Sequence, residues 1–153
     1  IAQTLAGDFE QWSKPHGGIA VANGGVVGCS IGIGGRVGAI NDQRATYPQC
    51  DERLATIPDL LGAPGAVPYV VVLSCLFDVG ERQIPGYSTW RRPGDPVVDA
   101  WLGQSVADTV SVLSSKGAKV VWLTCPLLDP QYDATPCSAA MRLASSTMPS
   151  LGM

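Results

Sequence analysis

Charge is scarce in this sequence. Only 15% of its residues are charged, ten basic against thirteen acidic, for a formal net charge of -3. The basic residues are scattered apart from Arg91-Arg92. A nucleic-acid binder carries a basic stripe or patch, so that class is set aside. Histidine is scarcer still, with His16 the only one. No stretch reaches the ~18 consecutive apolar residues of a membrane-spanning helix. The opening residues do not read as a signal peptide either, since no basic segment leads them and an acid arrives at Asp8. Neither end looks like a natural terminus, and the expectation is a fragment. None of the five cysteines forms a CxxC pair, which argues against a zinc ribbon or a thioredoxin-like motif.

What is present is apolar. Hydrophobic residues make up 46% of 153 residues, a composition suited to one domain with a single core. Ile1, Leu5, Phe9 and Trp12 recur at helical spacing, and Lys14-Pro15-His16-Gly17-Gly18 stops that helix. Ile19 to Asn23 reads as a short strand, and a Gly-rich loop is expected from Gly28 to about Gln43. Asp51 to Leu61 reads as a second helix, ended by Gly62 and Pro64. Val67 to Ser74 and Lys119 to Cys125 are continuous apolar runs rich in valine. Each predicts a strand buried on both faces of a parallel sheet. Between them lie a polar loop, Asp78 to Pro96, and a long helix, Val97 to Ser115. That helix carries Val98, Trp101, Leu102, Val106, Val110 and Leu113 on one stripe. Leu127 to Pro136 reads as loop, and Cys137 to Ser146 as the start of a last helix.

Strands alternating with helices imply βαβ units and an α/β fold. Ligands of such sheets bind beyond the carboxyl ends of the strands. Gly28-Cys29-Ser30, Cys75 to Asp78, and Cys125-Pro126 fall there.

Several motifs have a chemical reading and a plainer one. Gly28-Cys-Ser-Ile-Gly32 matches the G-x-S-x-G turn that lifts a nucleophilic Ser out of a strand-to-helix bend. The residues after it are a poor helix, and His16 lies upstream rather than downstream, so a chance match is the better reading of Ser30. Gly32, Gly34 and Gly38 miss the spacing of a dinucleotide fingerprint. His16, between a Pro and a Gly at a helix end, reads as an exposed loop residue. Asp78 directly follows a strand, at the sheet edge where ligands bind; a salt bridge or loop cap is an equal alternative. Tyr87, Trp90, Arg91 and Arg92 form an aromatic-basic loop on the same edge. It fits a substrate groove or ordinary loop packing, and Arg82, Trp90 and Arg91 are the substrate-binding candidates. Trp101 and Trp122 fit core positions, and Cys75 and Cys125 read as small buried hydrophobes.

The order of these segments resembles the SGNH hydrolase-like domain attached to bacterial membrane acyltransferases of the acyltransferase-3 type. Ile1-Ala-Gln-Thr-Leu-Ala6 is similar to the helix that follows the family's Gly-Asp-Ser. Asn23-Gly-Gly-Val-Val-Gly-Cys-Ser30 is similar to the second block, and Val70-Val-Val-Leu-Ser-Cys-Leu-Phe-Asp78 to the third. Gly94-Asp-Pro-Val-Val-Asp-Ala-Trp101 and Gly117-Ala-Lys-Val-Val-Trp-Leu-Thr-Cys-Pro126 resemble the next helix and strand. The resemblance implies a three-layer α/β/α fold with a parallel, flavodoxin-like sheet, and one partial SGNH-type domain over residues 1–153.

It also implies ester hydrolysis or O-acyl transfer through a Ser nucleophile activated by a His. Gly28 takes the position of a backbone oxyanion-hole donor, and Asp78 that of the third-block acid. Phe77 stands where many relatives carry an Asn donor. Gly-Asp-Ser falls before Ile1 and Asp-x-x-His beyond Met153, so the expectation is that this chain is inert alone. The implied partners are an acyl donor, a cell-envelope glycan acceptor and a membrane acyltransferase domain. The implied location is outside the cytoplasm, tethered to the membrane, with no metal or organic cofactor. There Cys29 and Cys50, which flank one loop, can bridge, and Cys137 can pair with a cysteine outside the chain. Two other classes stay open: a glycan-binding module that keeps the fold without the chemistry, and a doubly wound nucleotide-binding domain.

Overall fold

The computed structural model describes residues 2–17, 20–39, 42–45, 47–74, 78 and 80–123. Within them the protein is a mixed α/β structure with two small sheets. Helix α1 spans Ala2–Ser13 and runs into a 3-10 turn, Lys14–His16, where Pro15 supplies a fixed φ and removes a donor. Strands β1 (Arg36–Ala39) and β2 (Asp42–Ala45) form an antiparallel pair, and helix α2 spans Pro48–Leu61. Strand β3 is Tyr69–Val72, β4 is Glu81–Gln83, helix α3 is Pro96–Ser114 and β5 is Lys119–Trp122.

The two sheets differ in kind. One has the order β2-β1-β4, antiparallel throughout, with Val37 opposite Arg82. The other is a parallel pair, β3-β5, in register from Tyr69 opposite Lys119 to Val72 opposite Trp122. A parallel pair needs a crossover, and α3 lies within it. Helix α3 is set up locally by Asp95, whose side chain accepts the Val97 N–H at 2.9 Å, and by Pro96 in the first turn. Gly117, at φ 88°, turns the chain back toward β5.

The core sits between α3, β5 and the loop before β1. Ile31, Leu102 and Val106 are buried together, with Trp101, Val110 and Trp122 packed against them. The stripe read from the sequence is the face that α3 buries: Val98, Leu102, Val106 and Leu113 are all inside.

Four sequence expectations are corrected. Ala20 to Asn23 is irregular chain, not strand. The Gly-rich stretch expected as loop to Gln43 contains β1 and part of β2, and the polar loop after Asp78 contains β4. These short strands exist through pairing with distant partners, a signal that local composition does not carry. The parallel strands are also not buried on both faces: Tyr69, Val71 and Val121 are 59%, 59% and 42% exposed. Among the described residues only one side of this pair is covered, by α3. The expected loop 127–136 and helix 137–146 lie outside the described residues, as does Ile19.

Leu102→Ala should cost about 2–5 kcal/mol, because the pocket it leaves is lined by packed side chains. Val71→Thr on the exposed face should change stability by no more than about 0.5 kcal/mol. Urea unfolding of both variants checks this. A large cost at Val71 would mean that its face is covered in solution.

Candidate functional site

The densest polar constellation surrounds residues 28–34, the loop ahead of β1. From one side it is held by the start of α2. Tyr47, Cys50 and Arg53 recur every three residues and so lie along one flank of that helix. Tyr47 packs on Gly28, and a Cβ at Gly28 would come within 2.8 Å of its ring. Gly28 has φ 76°, a conformation side chains rarely adopt, so glycine is required twice over. Cys50 is joined to Cys29 by a disulfide. In the chain-entropy account, closing a loop of this length contributes about 3 kcal/mol. Arg53 donates to Ser30 O at 2.5 Å, to Cys50 O at 3.1 Å, and also to Ile31 O. Asp51 accepts the Gly34 N–H at 2.8 Å.

From the other side the loop meets Asp78, two positions before Gly80 and just beyond β3. Its carboxylate accepts the Ile31 N–H at 2.7 Å and the Ser74 hydroxyl. Arg82 Nη2 lies 3.7 Å from the same carboxylate, both side chains are buried, and the Arg82 guanidinium also sits over the Trp101 ring at 5.4 Å. Gly32 completes the packing, since a Cβ there would run into Trp101. Burial pushes the Asp78 carboxyl above its ordinary range, while Arg82, Ser74 and the N–H groups of Ile31 and Gly32 pull it back. The same burial lowers Arg82, with Asp78 opposing.

The candidates therefore fall into two groups. Gly28, Asp78 and Arg82 belong to one connected cluster. Arg82 is 1% exposed, inside the network rather than on a surface. The side chains of Trp90 and Arg91 lie on a partly exposed face beside β1 and β4, joined to the cluster by main chain, since Arg82 and Arg91 exchange N–H···O bonds at 2.7 Å. There the Arg36 guanidinium lies over Trp90 at 5.8 Å and that of Arg91 over Tyr87 at 5.1 Å. Arg91 is also paired with Asp95 at 2.7 Å, and Arg92 with Glu81 at 2.8 Å.

The plainer readings of Ser30 and His16 fit their surroundings. The Ser30 hydroxyl is buried and donates to Gly32 O at 2.8 Å. His16 is exposed, stacks on Trp12, and its Nδ1 lies 2.6 Å from Trp12 O. The two make no nucleophile–base pair. Cys75, Phe77, Cys125 and Cys137 lie outside the described residues. Among the described residues no group of His, Cys, Asp and Glu is arranged to hold a metal, and no helix is long and apolar enough to cross a membrane.

Arg53 was not singled out from the sequence. A lone Arg in a helix with Asp51 and Glu52 beside it reads as a solvated residue, and its partners are main-chain carbonyls that leave no sequence mark.

Comparison with known proteins adds no relative: no family model matches the chain, and neither does any curated protein or solved structure.

Asp78→Ala should destabilise by about 3–5 kcal/mol, because it leaves the Arg82 cation buried without its carboxylate. Asp78→Ala combined with Arg82→Met should cost less than the sum of the single changes, in a double-mutant cycle by urea unfolding. Strict additivity would show that the two groups are not coupled.

A pH dependence follows from Asp95. The Val97 N–H, foremost, and the Arg91 guanidinium hold its carboxyl below the ordinary value of 3.8. A lowered folded pKa gives stability that is present above 3.8 and lost as pH falls through the folded value. Asn caps equally well but does not titrate. The wild type should thus lose its advantage over Asp95→Asn in thermal melts as pH drops below that value. A constant difference would remove the carboxylate from the cap.

Proposed function

We propose that this chain forms the central part of an SGNH-type esterase or O-acyltransferase domain that works outside the cytoplasm on a cell-envelope glycan. The finer architecture proposed with it is a three-layer α/β/α domain around a parallel sheet.

The observation that carries the reading is a convergence of three segments. The first turn of α1 is tied to the second-block loop, because Asn23 Nδ2 donates to Gln3 O at 3.0 Å. The same loop, eight residues on, is tied to Asp78 at the end of β3 through the Ile31 N–H. The segment that resembles the second block thus touches the first-block segment at its start and, through Ile31, the third-block acid at its end. Acyl transfer needs oxyanion donor and third-block residue near one another, which the tie between the loop and Asp78 supports. The Cys29–Cys50 disulfide supports a location outside the cytoplasm.

In this reading the Ser nucleophile and His base come from segments flanking these residues. The Ser oxygen attacks the ester carbonyl carbon and its proton passes to the His. The carbonyl oxygen becomes an oxyanion, held by backbone N–H groups that include Gly28. The tetrahedral species collapses, the alcohol leaves with the proton, and an acyl-Ser remains. Water or a sugar hydroxyl then attacks that ester, giving hydrolysis or transfer. One oxyanion donor is worth about 10²–10³ in kcat.

A second reading rests on the Tyr87–Trp90 face, where aromatic rings and arginines lie together. It makes the domain a glycan-binding module without chemistry.

The test is p-nitrophenyl acetate hydrolysis by the protein with its native flanking segments, beside the 153-residue chain. The longer protein should turn over and label with a serine-reactive fluorophosphonate, while the shorter chain stays inert. A folded longer protein with neither property, or flanks without Ser and His, sinks the esterase reading in favour of the binding module. Turnover by the short chain that disappears on Ser30→Ala and His16→Ala would restore the Ser30 nucleophile.

A further inference from the structure

The loop from Gly28 to Gly34 puts Ile31 into the core but has no strand or helix of its own. Its conformation comes from side chains that reach it from α2 and from Asp78. Arg53 has a special place among them. One guanidinium grips two consecutive carbonyls, Ser30 O and Ile31 O, while Asp78 takes the N–H of Ile31. The peptide units around Ile31 are thereby held by a cation on their carbonyl side and an anion on their N–H side. The grip is transmitted upstream. Cys29, next to Ser30, is bonded to Cys50 one helical turn before Arg53, and Gly28 is pressed against Tyr47 one turn earlier still. The N–H that matters in the acyl-transfer reading thus lies one residue ahead of the disulfide, beside the Tyr47 ring.

We infer that Arg53 is a positioning residue that sets the direction of the Gly28 N–H toward the oxyanion. This role rests on the esterase reading. A guanidinium is required because its planar fork spans two acceptors at once, whereas an ammonium is a single point donor. Arg53 touches no reacting atom, so its loss changes the transition state through geometry alone. A donor displaced by about an ångström forfeits much of its electrostatic contribution.

The experiment uses the protein with its flanking segments and compares wild type, Arg53→Lys, Arg53→Gln and the surface control Lys14→Met. Ester hydrolysis gives kcat and KM separately, and amide hydrogen exchange follows Ile31 and Gly32 against the amides of α3. The expected result is a kcat at least about ten-fold lower in Arg53→Lys, with KM within about two-fold. Faster exchange should be confined to Ile31 and Gly32, and Lys14→Met should match wild type. Arg53→Lys keeps the charge and is the variant to read if Arg53→Gln does not fold. A wild-type kcat in folded Arg53→Lys, with or without a loosened loop, overturns the positioning role and leaves the esterase reading intact. A wild type that hydrolyses no ester overturns both.

Discussion

The structure turns on a short stretch of main chain that is folded by charged side chains rather than by a ladder. Ser30 and Ile31 give their carbonyls to Arg53, and Ile31 gives its N–H to Asp78. Buried main-chain polar groups must be paired, and those of a loop have no strand or helix to pair with. A cation and an anion inserted from opposite sides solve that problem, and charged donors and acceptors make stronger bonds than neutral ones. The rest follows from where those two side chains are anchored. Arg53 belongs to α2 and Asp78 follows β3, so the loop is the joint between the helix and the end of the parallel pair. Ile31, fixed by both, then enters the core against Leu102 and Val106 of α3. A break at either charged group would therefore disturb packing as well as polarity.

Burying the charges has a cost that the same arrangement offsets. Asp78 and Arg82 are both inside, and an isolated ion there would be unfavourable by several kcal/mol after relaxation. The Ser74 hydroxyl and the Ile31 N–H satisfy the carboxylate, and the Trp101 ring faces the guanidinium. Gly32 lets that ring approach the loop. A plain apolar cluster could supply equal stability, but it would not fix the directions of the peptide groups. Directional bonds are what a site built from backbone N–H groups requires.

How much of this could be read from the sequence depends on whether the cause is local. The long helix is legible because its apolar stripe is written in consecutive residues, while its Asp95 cap and Pro96 start, one residue before the expected Val97, come from the structure. The valine runs of β3 and β5 were legible for the same reason. Strands β1, β2 and β4 were not, since glycine-rich and polar segments become strands there only through distant partners. The Cys29–Cys50 pairing was foreseeable from two cysteines flanking one loop. Asp78 is recognisable from its place after a strand, although its partner Arg82 reads in the sequence as a substrate-binding candidate rather than a buried ion-pair partner. Arg53 left no trace, because its acceptors are carbonyls that every residue carries.

The exposed side of β3-β5 bears on the larger architecture. Parallel pairs are stable when both faces are covered, because their side chains are apolar on both. Tyr69, Val71 and Val121 keep that composition on a face that no described element covers, and neither strand has a second neighbour among the described residues. Their side chains suit the interior of a wider, two-sided sheet better than a solvent-facing surface. A wider sheet is also what the proposed domain needs, since its nucleophile must approach from beside the first turn of α1. The composition of this one face thus supports the same reading as the contacts of the loop at Asn23 and Ile31, and it does so through packing rather than through the chemistry of the loop.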